Sequence, residues 1–146
     1  MSVLIPTRTV QNVQHAEFSW SWDDTMLNTS GVSTDFKTAA AHVVDCIPLP
    51  PNAVVLGGGL EVLTTFATVT TYAVIVGDSA VTDRYLSTAD RKAAASTVVL
   101  VPTGYVGLGE NIRLTITPTG STATAGKATL RVSYAVNGRA TGSQIT

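Results

Sequence analysis

Charge is the scarcest ingredient of this 146-residue chain. Asp, Glu, Lys and Arg together make up 13% of it, against a usual share of about 25%. So little charge excludes a disordered charged tail or a solvated helical bundle as the bulk of the protein. The formal net charge is −1. The basic residues Arg8, Lys37, Arg84, Arg91, Lys92, Arg113, Lys127, Arg131 and Arg139 are scattered, with no run among them. No concentrated positive field is available to hold nucleic acid, so no nucleic-acid partner is expected. Cysteine is nearly absent as well: Cys46 stands alone and has no intrachain disulfide partner, which fits assembly in a reducing cytoplasm. Long apolar runs are missing too, and none approaches the roughly 20 residues that cross a bilayer. The start, Met1-Ser2-Val3-Leu4-Ile5-Pro6, lacks the basic segment and long apolar stretch of a secretory signal. A soluble protein with no membrane partner is expected.

Histidine is equally sparse, and that thins the options for catalysis. A hydrolytic site needs a nucleophile beside a base, and the chain offers only His15 and His42. His15 follows a polar strand and reads as surface; His42 opens a strand and reads as structural or edge. His42 and Cys46 share a strand face at i and i+4, roughly 13 Å apart, too far to hold one zinc. Cys46 itself, flanked by Val43-Val44-Asp45 and Ile47, reads as a buried inert thiol, with an exposed reactive thiol as the alternative. The neighbours Asp23 and Asp24 would point to opposite faces of a strand and read as turn chemistry. Asp78, Asp83 and Asp90 lie near one another in sequence. A calcium site from them is conceivable, but the EF-hand spacing is absent, and loop capping with an Asp83/Arg84 surface network is the plainer reading. Gly57-Gly58-Gly59 has the glycine content of a phosphate loop without its Lys-Ser/Thr or following helix, so it reads as a bulge or tight turn. No enzyme activity, cofactor or metal is expected.

What the chain does have is short-period patterning. Hydrophobic residues make up 45% of it, and a single domain of this length buries roughly 70% of the surface its unfolded chain exposes. Phe18-Ser19-Trp20-Ser21-Trp22 puts three aromatics at period 2, which only a strand brings to one face. Those rings suit core packing or an interface; the alternative is a sugar-stacking platform. Residues 42–47, 53–56, 60–65, 72–76, 97–101, 112–117 and 128–136 read as further strands. Residues 72–76 are dense enough in β-branched side chains for burial on both faces. The three prolines Pro48, Pro50 and Pro51 interrupt one of these pairs, since each removes a ladder donor. Residues 25–41 read as a loop. Residues 88–95, with Asp90, Arg91, Lys92 and three alanines, are the one place for a helical turn. About seven to nine strands separated by Gly/Pro turns predict an all-β fold, an antiparallel two-sheet sandwich of jelly-roll-like form. Its most expected strand pair is 111–118 with 127–136. The predicted division is an extended N-terminal arm over 1–14, the β-sandwich domain over 15–137, and a polar C-terminal tail over 138–146. The arm's Val3, Leu4, Ile5, Arg8 and Val10 are the candidate partner-binding residues, because apolar side chains at a chain end want a cover, and an extended arm can add a strand to a partner's sheet.

One stretch goes beyond general patterning. Asp45-Cys46-Ile47-Pro48-Leu49-Pro50-Pro51-Asn52-Ala53-Val54-Val55-Leu56-Gly57-Gly58-Gly59-Leu60-Glu61-Val62 is followed by Val76-Gly77-Asp78-Ser79, Asp83-Arg84-Tyr85-Leu86, Val101-Pro102-Thr103-Gly104-Tyr105 and Asn111-Ile112-Arg113-Leu114-Thr115. In order and spacing these pieces resemble the small jelly-roll-like head decoration, or cement, proteins of tailed bacteriophages, over residues 42–136. The resemblance implies a structural virion protein on the capsid exterior, assembled in the host cytoplasm. It implies the major capsid protein as partner, and a second or third copy of the chain in a homodimer or homotrimer. The motif consists of turn and strand residues and speaks to fold more than to role. A phage tail or fibre-associated structural protein and a carbohydrate-binding module remain as alternatives.

Overall fold

The computed structural model describes residues 13–137. Ten strands follow in chain order: β1 (Gln14–Ser21), β2 (Thr25–Leu27), β3 (Ser33–Asp35), β4 (His42–Ile47), β5 (Ala53–Ala67), β6 (Thr71–Gly77), β7 (Leu86–Asp90), β8 (Thr97–Val99), β9 (Ile112–Thr119) and β10 (Ala125–Val136). Eight of them form two four-stranded antiparallel sheets, ordered β1-β10-β5-β8 and β4-β9-β6-β7; β2 and β3 form a separate hairpin. Among the eight, the first strand pairs with the last, the second with the next to last, and so inward to the β6–β7 pair. That nesting is a jelly roll, a long folded-back ribbon wrapped into two sheets. The expected all-β antiparallel sandwich is therefore what forms.

The core follows from alternation. Ile112, Leu114 and Ile116 of β9, Tyr72, Val74 and Val76 of β6, and Leu60, Val62, Ala128, Leu130 and Val132 of the facing sheet are all buried. Their neighbours Arg113, Thr115 and Thr117 turn outward and stay only partly covered. Residues 72–76 alternate in the same way: Ala73 and Ile75 are only half-buried, so this strand is covered on one face and not on both. Trp20 is 1% exposed, and its Nε1 donates to the Tyr72 hydroxyl at 3.2 Å. That hydroxyl donates in turn to the Phe36 carbonyl at 3.0 Å. Phe66 stacks on Tyr72 with ring centroids 3.6 Å apart and planes within 5°.

Three further expectations are overturned. Residues 111–118 and 127–136 do not pair: β9 lies between β4 and β6, and β10 between β1 and β5, in opposite sheets. The segment between them crosses over the end of the sandwich, tied by the Ala123 amide to the Lys37 carbonyl and the Thr124 amide to the Ala67 carbonyl. Residues 25–41 are not wholly a loop, since they carry the β2–β3 hairpin. Its turn is organised by Asn28, whose Oδ1 accepts from the Ser30 and Val32 amides. Residues 88–95 form no helical turn. β7 runs to Asp90, and the following backbone bonds to β5 instead of to itself: Phe66 donates to Lys92, and Ala95 donates to Val62. Tertiary pairing has taken the groups a helix would have used.

Candidate binding face

The sequence placed its candidate partner-binding residues, Val3, Leu4, Ile5, Arg8 and Val10, in the N-terminal arm, and these lie outside the described residues. What the sandwich itself offers is the outer face of the β1-β10-β5-β8 sheet. Because Leu130 and Val132 point into the core, Thr129, Arg131 and Ser133 lie on the outer side, where Arg131 is exposed, Ser133 half-buried and Thr129 buried at 2% exposure. The register lays them in rows: His15–Ser133–Gly57, Glu17–Arg131–Gly59–Val99 and Ser19–Thr129–Glu61–Thr97.

One half of this face is polar and internally satisfied. Arg131 donates from Nη1 to Glu61 Oε2 at 2.8 Å and sits 3.4 Å from Glu17. The Ser19 and Thr129 hydroxyls meet at 2.8 Å, and His15 Nδ1 lies 2.9 Å from the Ser133 hydroxyl. The hydrogen bond to Glu61 raises the Arg131 guanidinium above its ordinary value, so the cation is fixed at every working pH.

The other half is bare. Gly57-Gly58-Gly59 forms no turn; it lies inside one continuous β5. The register slips between Ser133/Gly57 and Tyr134/Val55, which makes Leu56 the extra residue of a β-bulge. Val55 points inward, so Leu56 and Gly57 share the outer side opposite Ser133. Gly58 is held there by close approach. Its φ is 132°, and a Cβ would collide with the Arg131 carbonyl across the strand pair. The missing side chains leave an open groove of about 490 Å³ with Gly58 and Gly59 at its base and His15, Glu17, Arg131 and Ser133 around it. Beside it stand aliphatic side chains with no cover: Leu56 at 46% exposure, Val99 at 70% and Val106, across from Val54, at 39%. The sequence reading missed this face. Its signal was a leucine followed by three glycines inside a β-rich run, which reads equally well as a turn until the partner strand is known.

The acidic residues around 78–90 serve the loops. Asp78, rather than Asp83, is the partner of Arg84, joined through Nε. Its Oδ1 also accepts the Ala80 and Val81 amides at 2.9 and 2.8 Å. Burial alone would raise the Asp78 carboxyl; the Arg84 hydrogen bond and the two amides outweigh it and hold the group below its ordinary value. Arg84 then lies 3.6 Å over the Tyr105 ring, and the Tyr105 hydroxyl donates to Glu110 Oε1 at 2.7 Å. This relay fastens two loops beside β8. Among the described residues no three His, Cys, Asp or Glu side chains gather as a metal site.

The other singled-out residues fall in place one by one. His42 is buried and structural. Its Nε2 faces the Thr38 carbonyl at 2.8 Å, which can only accept, so Nε2 carries a proton, and Nδ1 shares a hydrogen bond with the Thr34 hydroxyl at 2.7 Å. His15 is exposed at the sheet surface. The half-buried Cys46 thiol is pushed up to about 12, chiefly by burial, and donates weakly to the Ile112 carbonyl. It is inert, as expected of a thiol with almost no thiolate. Trp20 is core, and Trp22 packs against the core with the Lys37 ammonium 5.5 Å from its ring, so the two do not form an open stacking platform. Asp24 closes the turn after β1 by accepting the Ser21 amide.

No family model matches the sequence, and no curated protein matches it. Solved structures do. A chain of the cyanophage Pam1 capsid asymmetric unit is 25% identical, with 93% of this chain and 94% of that one covered at a TM-score of 0.56. A chain of the acidic stable capsid of Helicobacter pylori bacteriophage KHP30 is 19% identical, with 96% and 97% covered at 0.63. A chain of the capsid of Ralstonia phage GP4 is 17% identical, with 96% and 93% covered at 0.54. The jelly roll described above is thus a fold that phage capsid structures contain, matched over nearly the whole length of both chains.

Proposed function

We propose that this chain is a non-enzymatic structural protein of a bacteriophage virion that binds the outer surface of the capsid and stabilises it, as a decoration protein does. The observation that carries the reading is coverage. The likeness to chains of phage capsid structures spans 93–96% of this chain and 93–97% of those chains, so a whole unit is shared rather than a common motif. An outer position suits a chain of net charge −1, which has no basic face to set against packaged nucleic acid. The mode of action follows from repetition: a rigid sandwich bridging adjacent capsid subunits needs only weak contacts, because each further contact is intramolecular once the first is made. The major capsid protein is the partner. Val3, Leu4, Ile5, Arg8 and Val10 supply an adhesive arm, and the chain associates with itself.

Shells assembled from the major capsid protein of the same phage, lacking this chain, provide the test. The purified chain should sediment with them, add density to their outer surface in electron microscopy, and raise the temperature at which they open. Absence of binding to the shells, or labelling at the tail of intact virions, would overturn the proposal in favour of a tail or fibre-associated role.

A further inference from the structure

Among the five asparagines, Asn12, Asn28, Asn52, Asn111 and Asn137, one stands apart. An asparagine reacts with its own main chain when the amide nitrogen of the next residue reaches the side-chain carbonyl carbon. The attack needs a side chain free to turn, a nitrogen not spent on a hydrogen bond and a small successor. Asn12 and Asn111 are followed by Val13 and Ile112, whose branched Cβ crowds that nitrogen, and Ile112 is fully buried. Asn28 has its Oδ1 committed to the Ser30 and Val32 amides, and the Thr29 amide donates to the Val43 carbonyl at 3.0 Å. Asn52 precedes the buried Ala53, whose amide donates to the Pro50 carbonyl at 3.3 Å. Asn137 is exposed, and its side chain has no hydrogen-bond partner among the described residues. Its successor is Gly138, which has no Cβ to obstruct the approach.

We propose that Asn137 is a site of covalent self-modification, converting to aspartate and isoaspartate without an enzyme. The Gly138 nitrogen, its proton taken by hydroxide, bonds to Asn137 Cγ. The bond from Cγ to the side-chain nitrogen breaks, and that nitrogen leaves as ammonia with a proton from water. Water then opens the resulting five-membered imide at either carbonyl. Cleavage at Cγ leaves aspartate. Cleavage at the main-chain carbonyl leaves isoaspartate, with the main chain rerouted through Cβ and longer by one methylene. Either product adds a negative charge to a chain of formal net charge −1. The fold sets where the change is felt. Asn137 donates its own amide to the Asn52 carbonyl at 2.8 Å, one step beyond the Val136–Ala53 pair that ends the β5–β10 ladder. All of that pairing precedes the altered linkage. The sandwich therefore keeps its strands, while the junction with residues 138–146 changes in length, direction and charge. This modification goes beyond the decoration reading and does not rest on it.

The test holds the full chain at mildly alkaline pH and body temperature and follows its intact mass and its peptide map, with isoaspartate read by an isoaspartate-specific methyltransferase. A free peptide of residues 133–142 is the reference. Each modified molecule should gain one mass unit, and the gain should map to residue 137 before any other asparagine reacts. The rate should rise with pH, because only the deprotonated nitrogen attacks, and the thermal melt should not move. Gly138→Val crowds the nitrogen and should slow the gain at least about tenfold. Asn137→Gln must close a less favoured six-membered ring and should slow it likewise, so two substitutions report on one step. Three results would overturn the proposal. One is residue 137 still unmodified when the free peptide has fully converted. Another is aspartate without isoaspartate, which means direct hydrolysis with no imide. The third is a rate that both variants leave unchanged.

Discussion

At the scale of single residues, the polar groups that matter are those whose surroundings leave no choice of charge state. Asp78 is 2% exposed, yet it is ionised, because Arg84 and the Ala80 and Val81 amides all donate to it. Its carboxyl is held below the ordinary 3.8 despite a burial effect that acts the other way. Asp35, which accepts from the Lys37 and Thr38 amides and the Thr38 hydroxyl, is lowered in the same manner against its own burial. In the unfolded chain such carboxyls take up protons at a higher pH than in the folded one. The stability they contribute is therefore complete above the unfolded value and is lost as pH falls through the folded value. The melting temperature should hold steady from neutral pH down to about 4 and fall below it. Asp78→Asn should cost about 1–3 kcal/mol at neutral pH and flatten the acid limb, both read from thermal melts across pH. An acid limb identical in the variant would show that Asp78 is not among its causes.

At the scale of strands and their partners, the sequence told more about faces than about neighbours. Alternation marked the inward residues of β9 and β10 correctly, because period 2 is a property of a single strand. It could not say that the two strands lie in opposite sheets, since adjacency in the sequence and a short Ser/Thr loop between them suit a hairpin and a crossover equally. The β2–β3 hairpin escaped notice because each strand is three residues long and none of the six residues is fully buried; so short a run shows little pattern. The bare face around Gly58 was illegible for a related reason: what makes it a face is the Arg131 carbonyl on another strand. The two sheets are joined through Tyr72, whose hydroxyl receives from Trp20 on β1 and donates to the Phe36 carbonyl beyond β3. Tyr72→Phe keeps the Phe66 stack and removes only that oxygen. It leaves a buried indole N–H and a carbonyl unpaired, so chemical denaturation should show a loss of about 1–3 kcal/mol with an unchanged fold. A loss well under this range would mean that water replaces the hydroxyl.

At the scale of the whole molecule, the jelly roll makes the ends of the sandwich interdependent. Within its sheet β1 is an edge strand that pairs only with β10, residue Gln14 against Tyr134 through Ser21 against Lys127. Trp20, at the far end of that strand, is among the largest side chains in the core. The chain therefore has two kinds of N-terminal residue: those from Gln14 on, which complete a sheet and its core, and those before Val13, whose proposed work is adhesion. Truncation separates the two. Removing residues 1–21 takes away β1 and Trp20 and should destroy cooperative unfolding, since losing a buried aromatic alone costs about 3–5 kcal/mol of a total near 5–15 kcal/mol. Removing residues 1–8 takes away Val3, Leu4, Ile5 and Arg8 and should leave the melting temperature within about 2–4 °C of the full chain. The same short truncation should weaken sedimentation with capsid shells at least about tenfold. Should the shortened chain bind shells as well as the full one, the arm has no part in attachment, and the sandwich surface alone must supply it.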